Sequence, residues 1–478
     1  MTATLVGLDV GTTGVKALAI SPSGEVLARA EEEYPLATPR PGWAEQEPAD
    51  WWRATEAALS ALRVDEVAGI GLSGQMHGLV ALGDDDRPLR PAILWNDQRT
   101  AAECGEIEER VGLERLIALT GNRALTGFTA PKLLWLRKHE PEVYERIAHI
   151  LLPKDYVRAR LTGERAIDVA DASGTLLFDV ARRRWSEEVL SALDLPAAWL
   201  PVALESPAVS GETTDAIPVA AGAGDQAAGA LGVGVDRPGP LSIVLGTSGV
   251  VFAALPAFAA DDEARVHAFC HAVPGAWHAM GVMLSAAGSL RWFRDVFAPG
   301  ESWDALLAEA EPWEPGVEGL IFLPYLSGER TPHADPNARG AFTGLSARHD
   351  RGALVRGVLE GVAYGLRDSL ELLRGLDVRP EVGRASGGGA RSDLWLRIVA
   401  SVLGIPLERT AVEEGAAYGA ALLGGVAGGV FGDVHQAVEA CVRVHGTVEP
   451  EPSWREAYEV GYERFRATYP ALRSLEDS

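Results

Sequence analysis

Two segments of the chain, about half its length apart, have nearly the same sequence. Residues 5–19 read LVGLDVGTTGVKALA, and residues 241–254 read LSIVLGTSGVVFAA. In each segment an apolar run leads into a short turn with glycine at both ends, and a second β-type run follows. This is the pattern of a hairpin, because glycine accepts the positive φ that tight turns require. Two such hairpins opening halves of similar length predict a duplicated domain, although chance recurrence of a short motif is the alternative.

The rest of the chain predicts an α/β domain in each half. A chain of 478 residues is too long for one core, and Gly and Pro residues at 232–240 indicate a boundary. We therefore expect domains at 1–235 and 236–478, each mixing short apolar strands with helices. Ligands of such proteins tend to bind between the domains. The segments with the clearest helical pattern are Pro48–Leu62, Ala130–His139, Arg351–Leu373 and Asp393–Leu403.

The composition excludes several classes of partner. The formal net charge is −24, and so acidic a surface repels nucleic acid and anionic membranes, but not a neutral small molecule. The uncharged stretches 238–260 and 415–432 are interrupted by Pro or Gly, which favours packing inside a core over crossing a bilayer. The three widely spaced cysteines Cys104, Cys270 and Cys441, and a start without a basic region, indicate a reducing, cytoplasmic setting.

The two repeated turns are candidate phosphate sites. The chain has no P-loop motif, but turns such as GTTG and GTSG present backbone N–H groups and hydroxyls in a small space. A plain hairpin turn is the simpler interpretation of either copy. Asp9 precedes the first turn, where the second copy has Val244. A carboxylate in an apolar strand requires compensation, either from a metal such as Mg²⁺ or from amides of the turn.

Asp225 is the candidate catalytic residue. It follows the strand-like IPVAAGAG and opens an Ala/Gly-rich helical segment within residues 217–234. A dinucleotide-binding interpretation is disfavoured, because it would place this acid against a pyrophosphate at the helix N-terminus. We expect the helix end to keep Asp225 ionised, so that it can accept a proton from a hydroxyl. The alternative is an acid that only caps the helix.

Three further segments combine glycines with polar or aromatic residues. In GIGLSGQMHG, Met76 and His77 end a predicted strand, and in LWNDQRT, Trp95 and Asn96 begin a run of amide, acid and base side chains. Both segments suit a polyol ligand, but an ordinary loop and a surface turn are the alternatives. In RASGGGARSDLW, residues 387–389 are three glycines that open a predicted helix. They provide a platform for a flat base or ribose, or simply an αβ loop.

These motifs together resemble the FGGY carbohydrate kinases over nearly the whole chain. The matching segments are LDVGTTGVK, PGWAEQEP, SGQMHG, AILWNDQR, GAGDQAAGA, VLGTSGV, SGGGARSDLW and GAAYGAA, with a family signature around Lys132 and Trp135. The resemblance implies two ribonuclease-H-like domains of the actin/hexokinase type that flank a catalytic cleft. Sugar would bind mainly to the first domain and ATP mainly to the second.

The resemblance also implies an activity: ATP-dependent phosphorylation of D-xylulose to D-xylulose 5-phosphate, with Mg²⁺. Another ketopentose or polyol, such as ribulose or arabinitol, is the nearest alternative. An actin- or chaperone-like ATPase is a more distant one, since the two halves leave no segment for a peptide-binding module. A homodimer is compatible with the sequence. The implied roles are Asp225 as proton acceptor; Met76, His77, Trp95, Asn96, Asp225 and Gln226 toward sugar; Asp9 toward Mg²⁺; and Gly11, Thr12, Thr13, Lys16, Gly246, Thr247, Ser248, Gly387, Gly388, Gly389 and Ala390 toward the nucleotide.

The chain departs from the family pattern in two places. Gln226 stands where many members have Asn after the catalytic Asp, which lengthens an amide expected to contact the sugar. A second family signature, within residues 344–361, is degraded at Ala353 and Gly357. The second departure lies in a predicted helix, so we expect catalysis to survive it.

Overall fold

The computed structural model describes residues 3–412 and 415–476 and contains two seven-stranded sheets, one in each half of the chain. The first sheet consists of β1 (Thr4–Val10), β2 (Gly14–Ile20), β3 (Val26–Glu33), β4 (Val67–Gly74), β5 (Val209–Glu212), β6 (Pro218–Ala220) and β7 (Ala223–Gly224). The second consists of β8 (Pro240–Leu245), β9 (Gly249–Leu255), β10 (His267–Cys270), β11 (Trp277–Met283), β12 (Val382–Ser386), β13 (Leu407–Thr410) and β14 (Val444–Val448).

The two sheets repeat one topology, as the sequence repeat predicts. Their orders are β5-β6-β4-β1-β2-β3, with β7 beside β4, and β10-β11-β9-β8-β12-β13-β14. In each sheet the predicted hairpin forms, with Leu5 opposite Ile20 in the first and Leu241 opposite Ala253 in the second. The opening strand of each hairpin then pairs in parallel with a later strand, β4 or β12. The predicted α/β fold with a duplicated core is confirmed.

Sixteen helices in the described ranges accompany the sheets, and the four predicted helices are among them. They are α1 (Pro48–Leu62), α2 (Ala101–Val111), α3 (Leu113–Thr120), α4 (Thr129–His139), α5 (Pro141–Tyr144), α6 (Pro153–Thr162), α7 (Val169–Ser173), α8 (Glu187–Leu193), α9 (Asp225–Gly232), α10 (Ala287–Phe297), α11 (Trp303–Ala310), α12 (Arg351–Gly375), α13 (Asp393–Leu403), α14 (Gly415–Ala427), α15 (Val434–Cys441) and α16 (Arg455–Glu476). Two-stranded pairings join Glu45–Gln46 to Ala92–Ile93, Val80–Leu82 to His149–Leu151, Ala166–Asp168 to Val202–Leu204, Phe178–Asp179 to Arg184–Trp185, and Ile321–Leu323 to Ala341–Thr343.

The predicted strand over residues 217–224 is divided in the structure. Gly222 has φ +88°, and a Cβ there would lie 2.3 Å from the carbonyl oxygen of Leu72. The backbone therefore bends at a position that only glycine fills without strain. The bend separates β6 from β7 and redirects β7 along the end of β4.

Helix α14, from the second half of the chain, packs directly on the first sheet. A Cβ at Gly71 in β4 would lie 1.8 Å from the carbonyl oxygen of Ala420, and one at Gly69 would lie 2.1 Å from that of Gly424. The strand and helix backbones are thus in contact, which the Gly- and Ala-rich sequence of α14 permits. The expectation that residues 415–432 pack inside a core is confirmed for α14. The division into domains at residue 235 stays a prediction. Helix α14 lies after this boundary in the chain but packs on the sheet that lies before it.

A membrane-spanning helix is absent from the described ranges, since none there combines sufficient length with sufficient hydropathy. The other uncharged stretch, 238–260, forms the hairpin of β8 and β9 with its turn. Proline at both ends and the GTSG turn divide this apolar run into two buried strands.

The contact between α14 and the first sheet can be tested with Gly71→Ala. The added methyl group overlaps backbone atoms that cannot move independently, so we expect the free energy of unfolding to fall by about 1–3 kcal/mol in urea titrations. Gly105→Ala is the control, because a Cβ at Gly105 in α2 meets no atom within 4 Å. That substitution should stabilise the helix by about 0.5–1 kcal/mol. Equal stability of the two variants would contradict the close packing.

Candidate active site

The ends of three parallel strands bring together residues that are far apart in the sequence. In β1 and β4, Asp9 is opposite Ser73 and Val10 is opposite Gly74. In β7, Gly224 is also opposite Gly74, and Asp225 follows at the start of α9. Because parallel strands end at the same edge, the first repeated turn, the segment after β4 and Asp225 all meet there. This is the edge at which open α/β sheets bind ligands.

Asp225 occupies the first turn of α9 but does not cap it. Gly224 is the N-cap, and no side chain caps this helix. Burial is the largest influence on the Asp225 carboxyl, followed by the negative charge of Asp9, and together they raise its pKa to about 7, although hydrogen bonds from Gln226 oppose the shift. The expectation that the helix end keeps Asp225 fully ionised is therefore wrong, because desolvation outweighs the favourable end of a short helix.

Asp9 lies in the same charged site. Burial raises its pKa, while a hydrogen bond from Ser73 and the charge of Lys16 oppose the rise. The Ser73 hydroxyl donates to Oδ1 of Asp9 at 3.2 Å, and it is the only hydrogen bond to this carboxylate from the described residues. Lys16 stands opposite Asp9 on β2, with its ammonium 3.8 Å from Glu31 at the half-exposed surface. The turn amides do not satisfy Asp9, which leaves it able to bind a cation.

A network of buried amides holds the first repeated turn, and the sequence analysis assigned it no role. Nε2 of Gln75 donates to the carbonyl oxygen of Gly11 at 3.2 Å and to Oε1 of Gln46 at 2.9 Å. Nε2 of Gln46 in turn donates to the carbonyl oxygen of Thr12 at 2.7 Å, and its oxygen accepts from Trp51. The sequence offers little signal for this network, because Gln46 stands between two glutamates and Gln75 is part of a glycine-flanked polar segment.

His77 is fixed at both its backbone and its ring. It has φ +69°, and its carbonyl oxygen accepts hydrogen bonds from Lys132 at 2.9 Å and Thr129 at 3.0 Å. Nδ1 lies 2.7 Å from the carbonyl oxygen of Gly174, and since a carbonyl only accepts, Nδ1 carries the proton. Burial, with smaller contributions from Lys132 and Arg330, lowers the pKa of His77 to about 3. The ring is therefore neutral, and Nε2 is a hydrogen-bond acceptor.

The segment after Trp95 divides into two parts. Nε1 of Trp95 donates to the Thr12 hydroxyl at 3.0 Å, which brings a ring that is 37% exposed to the first turn. Oδ1 of Asn96 is buried without a hydrogen-bond partner, so it can accept from a ligand. Asp97 and Arg99 instead bond to each other at 2.7 Å, and Asp97 also accepts from the backbone of Ala44. Their role is to hold the loop.

The second repeated turn lies against the start of α10. The carbonyl oxygens of Gly246 and Thr247 accept from the backbone of Ala287 and Ala286, both at 2.8 Å. Thr247 itself is exposed and Ser248 is half-buried. Gly387, at φ +84°, contacts this turn so closely that a Cβ would lie 2.8 Å from the carbonyl oxygen of Leu245. The second turn and the glycine platform are thus neighbours.

A cavity of about 380 Å³ opens beside this platform and is lined by Gly387, Gly388 and Ala390, among others. Gly389 does not line it, because this residue faces the buried side chains of Leu245 and Trp395. The glycines also do not open an α-helix as expected. They form a 3₁₀ turn over Gly388–Arg391, and α13 begins only after Ser392 caps it.

A buried cluster of charged residues, which the sequence analysis missed, holds the helix that precedes Gly174, the hydrogen-bond partner of His77. The ammonium of Lys154 lies 2.6 Å from Asp155, 2.6 Å from Asp168 and 3.0 Å from Asp171, and all four side chains are fully buried. It occupies the position that a metal would take among three carboxylates. Asp168 also caps the start of α7, and the residue that follows the end of this helix is Gly174, whose carbonyl oxygen accepts from His77. The cluster thus fixes α7 relative to α6.

Lys154→Met should destabilise the protein strongly. It leaves three buried carboxylates without their central cation, and breaking a buried ion pair costs about 3–5 kcal/mol. Urea unfolding provides the measurement. Arg115→Met is the matched control, since Arg115 and its partner Glu188 are exposed to solvent, and water screens such pairs so that their loss changes stability little. A Lys154→Met variant as stable as the control would refute a structural role for the cluster.

Comparisons with known proteins agree with this architecture. The family model "FGGY family of carbohydrate kinases, N-terminal domain" matches residues 4–232, and the model for the C-terminal domain matches residues 241–428. A xylulose kinase of Escherichia coli is 42% identical, with 98% of this chain and 99% of that protein covered. Among solved structures, a "xyloylose kinase" of Brucella ovis has a TM-score of 0.94 at 42% identity, covering 99% and 100% of the chains. A gluconate kinase of Lactobacillus acidophilus has a TM-score of 0.93 at 26% identity, covering 99% and 98%.

The two family models together span most of the chain, and the E. coli relative aligns over nearly all of it. The duplicated α/β sheets are what the resemblance of the motifs implied. The chain belongs to the FGGY family of carbohydrate kinases.

Proposed function

We propose that this carbohydrate kinase transfers the γ-phosphate of ATP to D-xylulose and forms D-xylulose 5-phosphate. The observation that carries the mechanism is a buried carboxyl with a pKa of about 7 at the meeting point of three strand ends. The sugar is inferred from relatives called xylulose kinase, of which the E. coli protein is 42% identical over 98% of this chain.

Asp225 would act as the general base. A base works best when its pKa lies near the operating pH, and the pKa of about 7 meets that condition. In the transfer, a sugar hydroxyl oxygen bonds to the γ-phosphorus as the bond from that phosphorus to the β,γ-bridging oxygen breaks. The hydroxyl proton moves to Asp225, and ADP leaves with the bridging oxygen. The proton is released to solvent before the next turnover.

Two hydrogen-bond acceptors in the segments that follow β4 suit a polyhydroxylated substrate. Nε2 of His77 and Oδ1 of Asn96 each lack a donor from the described residues, and sugar hydroxyls would supply one. The indole of Trp95 provides a flat wall, and Met76 lies beneath Gly224, where a Cβ would come within 2.7 Å of its side chain. Gln226, already bonded to Asp225, would add an amide contact. Binding through acceptors favours hydroxyl-rich ligands over anionic ones.

The nucleotide would bind between the two repeated turns and the glycine platform. Gly11, Thr12 and Thr13 in the first turn, and Gly246, Thr247 and Ser248 in the second, offer backbone N–H groups and hydroxyls to phosphates. Gly387, Gly388 and Ala390 line the cavity proposed for adenosine, while Gly389 supports it from behind. Lys16 lies on the hairpin of the first turn and would contribute positive charge there.

Asp9 fits the proposed role of holding Mg²⁺. Mg²⁺ binds proteins through one or two carboxylates and keeps water and phosphate oxygens as its other ligands. Asp9 supplies such a carboxylate, and its Oδ2 receives no hydrogen bond from the described residues. When bound, the ion would neutralise negative charge on the phosphates.

The choice of sugar can be tested by measuring phosphate transfer from ATP to D-xylulose, D-ribulose, D-arabinitol and D-gluconate. We expect kcat/KM to be highest for D-xylulose. Gln226 at a sugar-contacting position is the reason to include the other ketopentose and the polyol, and the gluconate kinase likeness is the reason to include the acid. A higher kcat/KM for any of the other three would overturn the proposed substrate. The cytoplasmic setting and a homodimer stay predictions.

Asp225→Asn tests the base. The amide preserves shape but cannot accept the proton, so kcat should fall by about 10²-fold or more, while the Kd for ATP stays nearly constant. Asp215→Asn, at an exposed position, is the control and should retain full activity. If Asp225→Asn kept normal turnover, another group would have to be the base.

A further inference from the structure

A short loop of the second half, Gly328–Thr331, reaches the sugar side of the site. The backbone N–H of Thr331 donates to Val282 at 3.0 Å, and its hydroxyl accepts from the N–H of Val282 at 3.0 Å. Oε1 of Glu329 accepts from the N–H groups of Leu284 at 2.9 Å and Arg330 at 2.7 Å. The backbone on both sides of Arg330 is therefore bonded to the end of β11, which fixes the root of this side chain.

The guanidinium of Arg330 has no hydrogen bond or ion pair to any residue within 3–412 and 415–476. This contrasts with Arg99, Arg158 and Arg356, whose more deeply buried side chains are bonded to carboxylates, whereas Arg330 is half-buried. Arg330 is desolvated enough that burial lowers its pKa. Its neighbour Glu329 does not neutralise it, because burial raises the pKa of Glu329 to about 8. A half-buried cation whose five N–H donors find no acceptor among the described residues can donate to a ligand that enters the site.

The position of Arg330 is at the His77 end of the site. Its positive charge lowers the pKa of both His77 and His267, whereas the charge that acts on Asp225 is that of Asp9. These two histidines belong to a cluster of rings from both halves of the chain. His77 packs on Phe128 at 4.7 Å and Phe269 at 6.2 Å between ring centroids, and His267 stacks on Phe269 at 5.6 Å.

We propose that Arg330 is a sugar-binding residue: its guanidinium donates hydrogen bonds to oxygen atoms at the end of the ketose remote from the hydroxyl that is phosphorylated. Nε2 of His77 would accept from a hydroxyl at the same end. The pair matches an α-hydroxyketone, in which the carbonyl oxygen can only accept and the adjacent hydroxyl can donate. This inference rests on the proposed function, because it assumes a ketose in the site.

The arrangement also gives the sugar a contact with each half of the chain. His77 follows β4 of the first sheet, and Arg330 is anchored to β11 of the second. A ligand held between them would favour conformations in which the two halves are close. The competing assignment is a phosphate group of the nucleotide, which a guanidinium also binds well. The anchoring of the Arg330 backbone to β11 and the action of its charge on His77 and His267, and not on Asp225, favour the sugar.

The test compares Arg330→Met with Arg339→Met, a control in the same region whose exposed side chain bonds only to the backbone carbonyls of Pro336 and Ala338. Both variants are assayed with saturating ATP and varied sugar, and then the reverse. We expect Arg330→Met to raise the KM for sugar at least about tenfold, the effect of losing a charge-assisted hydrogen bond. The KM for ATP should stay within about twofold, and Arg339→Met should match the wild type.

Two outcomes would overturn the proposal. A raised KM for ATP with an unchanged KM for sugar would assign Arg330 to the phosphates, and no change in either would remove it from the site. Arg330→Lys, which keeps the charge but loses the fork of donors, should recover only part of the affinity for sugar. The thermal midpoint of unfolding distinguishes a binding defect from a structural one. It should not fall in Arg330→Met, because the guanidinium has no hydrogen bond or ion pair to lose in the described part of the chain.

A second readout does not depend on turnover. In the background of Asp225→Asn, calorimetry gives the Kd for sugar directly, and Arg330→Met should weaken it by the same factor. If the wild-type enzyme prefers a different carbohydrate, the proposed substrate fails. The Arg330 assignment is then judged on that carbohydrate with the same variants, and an unchanged Kd there would refute it.

Discussion

The parallel register of β1, β4 and β7 is the constraint on which the site depends. Asp9, the segment after β4, and Asp225 are separated by long stretches of chain, yet each follows a strand that ends at the same edge. A slip of one residue in any of these strands would turn Asp9 or the flanking apolar residues to the opposite face. The bend at Gly222 and the close packing at Gly71 preserve that register, because neither position accommodates another side chain.

Within this arrangement of strands, burial away from solvent determines the protonation states of Asp225 and His77. The carboxyl of Asp225 and the imidazole of His77 are both displaced toward their neutral forms, but their roles differ because their neighbours differ. Asp225 faces another acid and has a pKa near neutrality, so it can exchange a proton during turnover. His77 faces cations and a carbonyl, so it stays a fixed acceptor. One physical effect thus provides both a proton acceptor and a recognition element.

The fold and the main motifs could be predicted because they depend on local patterns. The paired hairpins follow from apolar runs around glycine turns, and four helices follow from their periodicity and capping. The pKa of Asp225 could not be predicted, since it reflects burial by residues distant in sequence. The Lys154 cluster and the Gln75–Gln46 network were missed for the same reason: each polar group looks ordinary until the fold brings its partners together. Gly389 shows that a motif does not predict which of its residues face a cavity, because its neighbours line the cavity and Gly389 does not.

The position of helix α14 affects whether the two halves of the chain can exist as separate fragments. It lies between β13 and β14 of the second sheet in the chain but covers the first sheet, with its backbone against Gly69 and Gly71. A fragment ending near residue 235 would therefore expose a glycine-lined face of its sheet to water, and the complementary fragment would carry a helix without its surface. The two halves repeat one topology, yet neither is complete without the other. The backbone contact of α14 with Gly69 and Gly71 thus ties the second half of the chain to the sheet of the first.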